Sequence, residues 1–563
     1  MNKNRCHHIL LQSALLLGAV FCASTKLAHA GVIQGTGASP NATQLGSTDA
    51  VGFAIADSGP GHVLVVPYFT AQGGQMSVLH LVNTDRVNGK AVKLRYRGAS
   101  NADTLLDLVV LLSPGDVWTG AVNAGSDGKA QITTADNSCT YPRLIKGQPQ
   151  SFSTSRLNPQ WTASEQGSHT REGYVEAIVM ADIPSKRVYG TSGTENSPLY
   201  TAIKYVFDAA PCTSSALDEA LLNDTSAEAE AASRGWATPT GGLMGTWYII
   251  DVPGTTTFSG TATAFTAVNS SGQSARGNYV LFPQSGEVVA QPERFTADPL
   301  LVSAGLAGRG KTVDGVISGL TTAQVLQAKF SDLPDLSTPY YLPASAANAR
   351  RTAGDLTQIL AVKSVKNQYA TDVTISAKTD RVFSMPTMRY SVAYDYAATG
   401  STPKTLYSLI SPRNSNEQFF SDGNLIATAA RGLEIALGTR LDGEVVPISW
   451  VLGLAYFDRE GFNNQSGAVS LVPAPYPGSR WRGAVSVDAL LNSGQSALSA
   501  VVTRDTLYSG MFTNGWYQVD TLVPQSSLGL PVLGASFIKL TNPAAQPGVS
   551  GNYGITWPHS YIR

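Results

Sequence analysis

Five short apolar runs separated by tight turn signals fill residues 61–122, and that rhythm constrains the fold more than any other feature of the chain. His62–Thr70, Ser77–Asn83, Ala91–Arg97, Leu105–Leu112 and Val117–Val122 read as strands. Gly73-Gly74, Asn88-Gly89 and Ser113-Pro114-Gly115-Asp116 supply turns between them. Pro67 has no amide hydrogen to give a ladder, so it marks an edge or a bulge in the first strand. In the third run Val92, Leu94 and Tyr96 alternate with Lys93, Arg95 and Arg97. A strand of period two puts the first set on a dry face and, on this reading, the cations in water. Leu105–Leu112 is nearly all apolar and reads as a central strand covered on both sides.

The same style returns further on. Gly173–Ala181, Thr201–Phe207, Gly245–Val252, Thr256–Val268 and Gly277–Phe282 read as strands, and Ser215–Ser233, rich in Ala, Leu and Glu and stopped by Gly235, as a helix. Within Pro343–Val365, Ala346, Ala349, Ala353, Leu356 and Leu360 form a partial helical stripe that Gly354 weakens. Val373–Ile375, Val382–Met388 and Tyr390–Tyr394 are strand signals, Ile426–Leu437 fits helix or strand, and residues 443–540 alternate again. The fold class expected is mainly β: two or three antiparallel β-sandwich-like domains with short helical insertions. The divisions are a signal peptide (1–30), an N-terminal arm (31–60), a β-rich region (61–290) with its helical insertion near 215–233, a mixed connecting region (291–370), a C-terminal β-rich region (371–540) and an aromatic tail (541–563).

The start of the chain reads as a cleavable secretory signal. Lys3 and Arg5 form a positive head, Ile9–Phe21 an apolar run, and Ala28-His29-Ala30 a small-x-small site before Gly31. A retained anchor would need ~20 apolar residues, and lipidation at Cys22 would follow the bulky Phe21. No later segment reaches 18 consecutive apolar residues, so no helical transmembrane segment is expected. Cleavage leaves Cys139 and Cys212, and in an exported chain these two most simply form a disulfide; two separate buried thiols are the alternative. Such a bridge contributes roughly 2–4 kcal/mol by restricting the unfolded chain.

The segments LVVPYFTAQGG (64–74), LVNTDRVNGKAVKLRYRGASN (81–101) and LLDLVVLLSPGDVWTG (105–120), with GNYGITWPH (551–559) near the end, resemble a family of exported, β-rich proteins of Gram-negative bacteria. The resemblance covers the first 120 residues and the last dozen. It implies export and a β-rich fold, and carries no activity or catalytic residue.

Only 14% of the residues are charged, against ~25% in ordinary soluble domains. After cleavage 36 basic residues face 40 acidic ones, a balance unsuited to nucleic acid, which calls for a basic face. Serine, threonine, glycine and asparagine wet the surface instead, which suits proteins that pack against copies of themselves or against cell-surface components. The four histidines left, His62, His80, His169 and His559, have neither HxH nor HExxH spacing, and no GxSxG elbow is present. Glu172, Glu176 and Asp182, or Asp458 and Glu460, could pair as the carboxylates of a glycosidase, but such pairs are common by chance. No cofactor is expected; calcium ranks next, at Asp458–Asn464 or Asp85–Asn88, where turn chemistry explains the same residues.

Of the eight tryptophans, Trp118 and Trp247 lie in apolar strands and read as core, whereas Trp161 lies in a polar stretch and is the best contact candidate. Tyr553, Trp557 and Tyr561 recur every four residues, but Gly551, Gly554 and Pro558 exclude a stable helix. An extended tail follows, docked on its own chain or on a neighbouring copy. The expected function is a non-catalytic exported structural or surface protein able to assemble with itself, in the periplasm, at the outer cell surface or outside. A carbohydrate- or ligand-binding module is the alternative, and a secreted hydrolase of another type the third.

Overall fold

The strand that carries the alternating cations lies deep inside the protein. In the computed structural model, which describes residues 31–56, 59–159, 161–185, 195–223, 225–284, 333–390, 392–395, 404–408, 449–462, 478–490, 496–509, 512–521 and 529–563, it is β5 (Asn88–Gly98) of a seven-stranded antiparallel sheet. The expected signal at 1–30, the stretch Ile426–Leu437 and all of 285–332 lie outside the described residues. The order across this sheet is β2 (Gly52–Ala56), β14 (Thr263–Val268), β3 (Val63–Thr70), β11 (Glu172–Pro184), β5, β6 (Thr104–Leu112) and β9 (Cys139–Tyr141). A six-stranded sheet packs on it: β10 (Gln150–Ser151), β8 (Ala130–Thr133), β7 (Val117–Ala124), β4 (Gln75–Asn83), β12 (Leu243–Asp251) and β13 (Thr256–Thr261). Leu79, Leu81, Trp118 and Trp247 of the second sheet share one apolar core with Val92, Leu94 and Tyr96 of the first. Pro67 occupies a bulge: the pairing of β3 with β11 slips between Val66 and Phe69, although β3 has neighbours on both sides.

The dry face of β5 is as its alternation requires, but the wet face is not wet. Lys93, Arg95 and Arg97 are each at most 2% exposed, so their assignment to solvent is overturned. Their side of the seven-stranded sheet is roofed by residues 333–341, by Gln284 and by Pro386–Tyr390. Arg95 donates to the Pro334 carbonyl at 3.1 Å, Lys93 to Gln284, Tyr340 to the Val179 carbonyl at 2.6 Å and Tyr174 to the Pro386 carbonyl at 3.2 Å. The period of two located two faces correctly; a third layer, some 240 residues away in sequence, covers the second.

Two more five-stranded sheets make the C-terminal part. One runs β22 (Gly478–Arg482), β21 (Ser449–Phe457), β25 (Asn514–Asp520), β17 (Ser364–Ala370), β29 (Ser560–Ile562). The other runs β24 (Arg504–Leu507), β23 (Val485–Leu490), β18 (Lys378–Ser384), β27 (Leu533–Gln546), β28 (Val549–Pro558), with β23 and β24 parallel. They enclose a second core that contains Tyr369, Phe383, Tyr456, Trp481 and Tyr517. Phe537, on the opposite face of β27, packs edge-on against Phe258 at 5.5 Å and so belongs to the first core. Short pairs complete the strands: β1 (Val32–Ile33) with β15 (Tyr279–Val280), β16 (Ala361–Val362) with β26 (Leu530–Pro531), and β19 (Val392–Asp395) with β20 (Lys404–Ser408). The protein is mainly β, built from antiparallel sheets with short helices, as the turn rhythm indicates.

The helices are α1 (Ala163–His169), α2 (Pro198–Ile203), α3 (Ser214–Leu221), α4 (Glu228–Ser233) and α5 (Ala346–Leu360). Thr201–Phe207 is therefore not a strand. Ser197 caps the Tyr200 amide at 3.0 Å and Pro198 presets the first helical turn, which outweighs the β-formers that follow. The expected 215–233 helix is two, α3 and α4, and Val373–Ile375 is a 3₁₀ turn capped by Asp372. α5 does use its stripe: Ala349, Ala353, Leu356 and Leu360 are buried in the first core. Cys139 and Cys212 are bonded, tying β9 to the segment before α3.

Sheets from the two halves meet through buried polar contacts. The Ala99 carbonyl accepts from the amides of Ala484 and Val485 at 2.8 and 3.0 Å, and Lys539 pairs with Asp251 at 2.6 Å. Glu172 sits at the same junction, fully buried, accepting from the amides of Val501 at 2.7 Å and Val502 at 3.2 Å. Burial pushes its carboxyl up to about 7, against the pull of those amides. The folded protein thus holds this proton more tightly than the unfolded chain, whose carboxyl titrates near 4.5. The stability it brings is complete below that value and lost as pH rises through about 7. His62, His169 and His559, held down by burial to about 3, about 4 and about 3, tilt the curve the other way below pH 6.5. The effect of Glu172 therefore shows as a difference. Between pH 5 and pH 8 wild type should lose a few kcal/mol more than Glu172→Gln, measured by urea unfolding; parallel curves would show that Glu172 is ionised at both.

Candidate functional site

Few as the charged side chains are, a cluster of them lies inside. On the roofed face of the seven-stranded sheet Arg95 lies between Asp107 of β6 and Glu176 of β11 as directly opposed cross-strand neighbours. Its guanidinium is 3.4 Å from the first carboxylate and 3.8 Å from the second. Arg97 approaches Glu176 at 3.1 Å and Asp335 of the roof at 4.0 Å, Lys93 approaches Asp107 at 2.6 Å, and Arg389 approaches Asp335 at 3.9 Å. Tyr174 donates to Glu176 at 3.0 Å. Burial is the largest single influence and works against the charge on Arg97, but Glu176, Tyr174, Tyr390 and Asp335 together outweigh it and hold the guanidinium above its ordinary value. At the end of the same strands Lys90 pairs with Asp182 at 2.8 Å, and Thr240 donates to the same carboxylate at 2.6 Å. Glu172, Glu176 and Asp182, the carboxylates that could have flanked a sugar, are thus sealed in separate polar contacts. Opposite charges meet at hydrogen-bonding distance under a roof, an arrangement that binds layers together.

The outer face of the six-stranded sheet is the reverse. Its inward positions are mostly buried and its outward ones mostly open, with Val78 of β4 the outward residue that is itself buried, at 8% exposure. On β12 the outward residues are Met244, Thr246, Tyr248 and Ile250, and on β4 they are Met76, Val78, His80 and Val82. β7 adds Val117, Thr119, Ala121 and Asn123; β13 adds Thr257, Ser259 and Thr261; β8 adds Gln131 and Thr133. None of these carries a formal charge at neutral pH; burial lowers the pKa of His80, the one titratable imidazole. The registers place Met244, Val82 and Val117 in one cross-strand row, with Val117 44% and Met244 38% exposed. Charges begin at the rim, where Asp127 and Lys129 pair at 3.2 Å in the turn before β8.

On this face His80 Nδ1 is 2.7 Å from the Thr119 hydroxyl and its Nε2 meets the Tyr248 hydroxyl. A second hydroxyl–imidazole contact joins Ser100 to His169 at 3.1 Å, with both residues buried. Neither makes a nucleophile site. Ser100 is sealed at the junction of the two halves, and Thr119 stands mid-strand between β4 and β8, where amide hydrogens are committed to the ladders rather than turned toward an oxyanion.

The sequence-selected contact residues fare differently from one another. Trp161 is half-buried, stacked on His169 with ring centroids 3.8 Å apart and packed against the first core, so it is not an open platform. The tail is two strands of the same chain: β28 pairs with β27, and β29 with β17. Tyr553 and Trp557 project from β28 and stay 53% and 46% exposed, while Tyr561 packs at the edge of the second core. His559, which the aromatic spacing did not single out, is the residue that docks. It is 5% exposed, stacks on Phe383 at 4.9 Å, accepts from Asn367 at Nδ1 and donates to the Val382 carbonyl from Nε2. Its place between glycine-rich and aromatic residues gave no periodic signal. Asp458 accepts from the amides of Glu460 and Phe462, and Asp85 from those of Val87 and Asn88, so the two loops considered for calcium use these carboxylates as turn caps. Among the described residues no cluster of three or more His, Cys, Asp or Glu is placed to hold a metal ion.

On the outer side of the five-stranded sheet β22-β21-β25-β17-β29, Trp516 of β25 stacks on Phe457 of β21, its register partner, at 3.9 Å, with Lys366 of β17 5.9 Å from the indole centroid. Comparison of the chain with protein-family models, curated proteins and solved structures finds no match.

Proposed function

We propose that this is a non-catalytic, exported structural or surface protein that works through the uncharged outer face of its six-stranded sheet. The observation that carries the reading is the division of charge: ion pairs are sealed between layers, and a broad open sheet face is left with hydroxyls, amides and a row of exposed apolar side chains. Uncharged groups shed water at less cost than ions do, so such a face favours lasting contact with another surface. The secretory pattern of residues 1–30 and the Cys139–Cys212 bond fit an oxidising destination: periplasm, outer cell surface or medium. Washing of intact cells followed by envelope fractionation is the test. Wild type should remain with the envelope or elute above the size of a single chain, and Thr246→Glu should be recovered from the soluble wash as a single chain at unchanged melting temperature. Recovery of wild type as a free monomer sinks the reading.

A second reading, a carbohydrate-binding module, draws on the Phe457–Trp516 stack. An indole with Gln368 as its register partner on β17 offers a ring face and an amide to a sugar. Retardation on a polysaccharide gel that Trp516→Ala abolishes, with Thr246→Glu unaffected, would favour it over the first.

A further inference from the structure

The same face allows its partner to be named, an inference that rests on the reading above: we propose that the six-stranded sheet packs face to face on the same sheet of a second copy of this chain. Three observations converge. A two-fold interface sets each patch against itself, so any net cluster of like charge near the axis would meet its own image, and this face has none. Its centre holds neutral side chains across one register row, the small Ala121 beside the larger Tyr248 and the largely covered Val78, a corrugation that two sheets packed about 10 Å apart can interdigitate. Its extent is sufficient: six strands at ~4.8 Å spacing and about seven residues at ~3.4 Å give a projected area of roughly 600 Å², and corrugation brings it near the ~800 Å² per partner of a stable complex.

The apolar row Met244–Val82–Val117 runs along one end of this surface, and Ile250 and Met76 face each other toward the other end. Between them His80, Thr119, Thr246 and Tyr248 supply donors and acceptors that already satisfy one another in part. Two such surfaces related by a two-fold axis bury both apolar ends and leave few polar groups unpaired. A membrane or an anionic polymer would call for cations that the face lacks. A neutral polysaccharide would be served by the hydroxyls but gains little from the two apolar ends.

Sedimentation velocity of the exported protein between ~1 and 100 µM decides it. Wild type is expected as a dimer at 10 µM. Met244→Lys and, separately, Ala121→Lys are expected to sediment as monomers with unchanged circular dichroism and melting temperature, each weakening the dimer at least tenfold. A wild-type monomer at 100 µM overturns the second-copy inference, as does a dimer that both variants leave intact. A monomer that still binds envelope fragments, and loses that binding in Met244→Lys, overturns the dimer while sparing the proposed function. A monomer whose envelope binding neither variant changes overturns both.

Discussion

Arg97→Met is expected to lower the stability of the N-terminal body by about 3–5 kcal/mol, the usual cost of removing one partner from a buried ion pair. The guanidinium donates to the Ala102 carbonyl at 3.3 Å, the Thr104 hydroxyl at 3.1 Å and Glu176 at 3.1 Å. Its loss strands a carboxylate that is 1% exposed. Removing Glu176 in the same protein should then cost far less than removing it alone, because the charge left unpaired has gone. Arg97→Met combined with Glu176→Leu should recover a kcal/mol or more over the single change, short of full recovery because Tyr174 and Arg95 also lean on Glu176. Urea unfolding followed by the fluorescence of the buried tryptophans reads this directly. A single substitution costing under about 0.5 kcal/mol, as at a solvated position, would mean that the roof of residues 333–341 does not cover the sheet. Leu94→Asp, on the opposite face of the same strand, should be no milder.

This strand also shows how far the sequence could be read. Alternation along β5 reports that Val92, Leu94 and Tyr96 share one face and the cations the other, because side chains of a strand project by turns. It cannot report what covers the second face. The cover comes from Leu333–Tyr341 and Pro386–Tyr390, far along the chain, and its own signal is a handful of Pro, Tyr and Asp residues without periodicity. Where structure is set locally the reading was close: the Gly73-Gly74 turn, the bulge at Pro67, the α5 stripe and the cysteine pair are in place, whereas the turn expected at Asn88-Gly89 falls just before it, at residues 84–87, because Asn88 and Gly89 already pair with Pro184 and Ile183 in the ladder. Where two local signals competed, it failed. At Thr201–Phe207 β-formers concealed the Ser197-Pro198 helix start, and at 215–233 a good helical composition hid a break between α3 and α4. The candidate binding face was legible only in part. Its strands alternate visibly, yet the absence of charge from one side of five adjacent strands emerges only once their order and register are known.

Deleting residues 551–563 should destabilise the C-terminal sandwich by more than 4 kcal/mol, through His559 and the backbone rather than through the two most exposed aromatics. The deletion removes most of β28 and all of β29, exposing the ladder groups of β27 and β17. It also uncovers β13, whose outer edge β28 protects: Asn552 donates to the Thr255 hydroxyl at 2.8 Å and the Ser259 amide to the Thr556 hydroxyl at 3.2 Å. Finally it empties the place of His559 beside Phe383 and Tyr517, where the charge of Arg381 already relies on Asp488 at 2.8 Å and on the Tyr517 ring at 4.4 Å. Water entering there would solvate that pair and loosen the second core. His559→Ala alone should therefore cost about 3 kcal/mol, as large aromatic truncations do, whereas Tyr553→Ser and Trp557→Ser should each cost under about 1 kcal/mol because their rings are half in water already. Differential scanning calorimetry of the four proteins separates the cases. If truncation leaves the melting profile in place, the tail does not contribute to the fold. If Trp557→Ser proves as damaging as His559→Ala, the anchor is the exposed aromatic row and not the buried imidazole. A truncated chain that remains folded but newly aggregates would assign the tail to guarding the β13 edge alone.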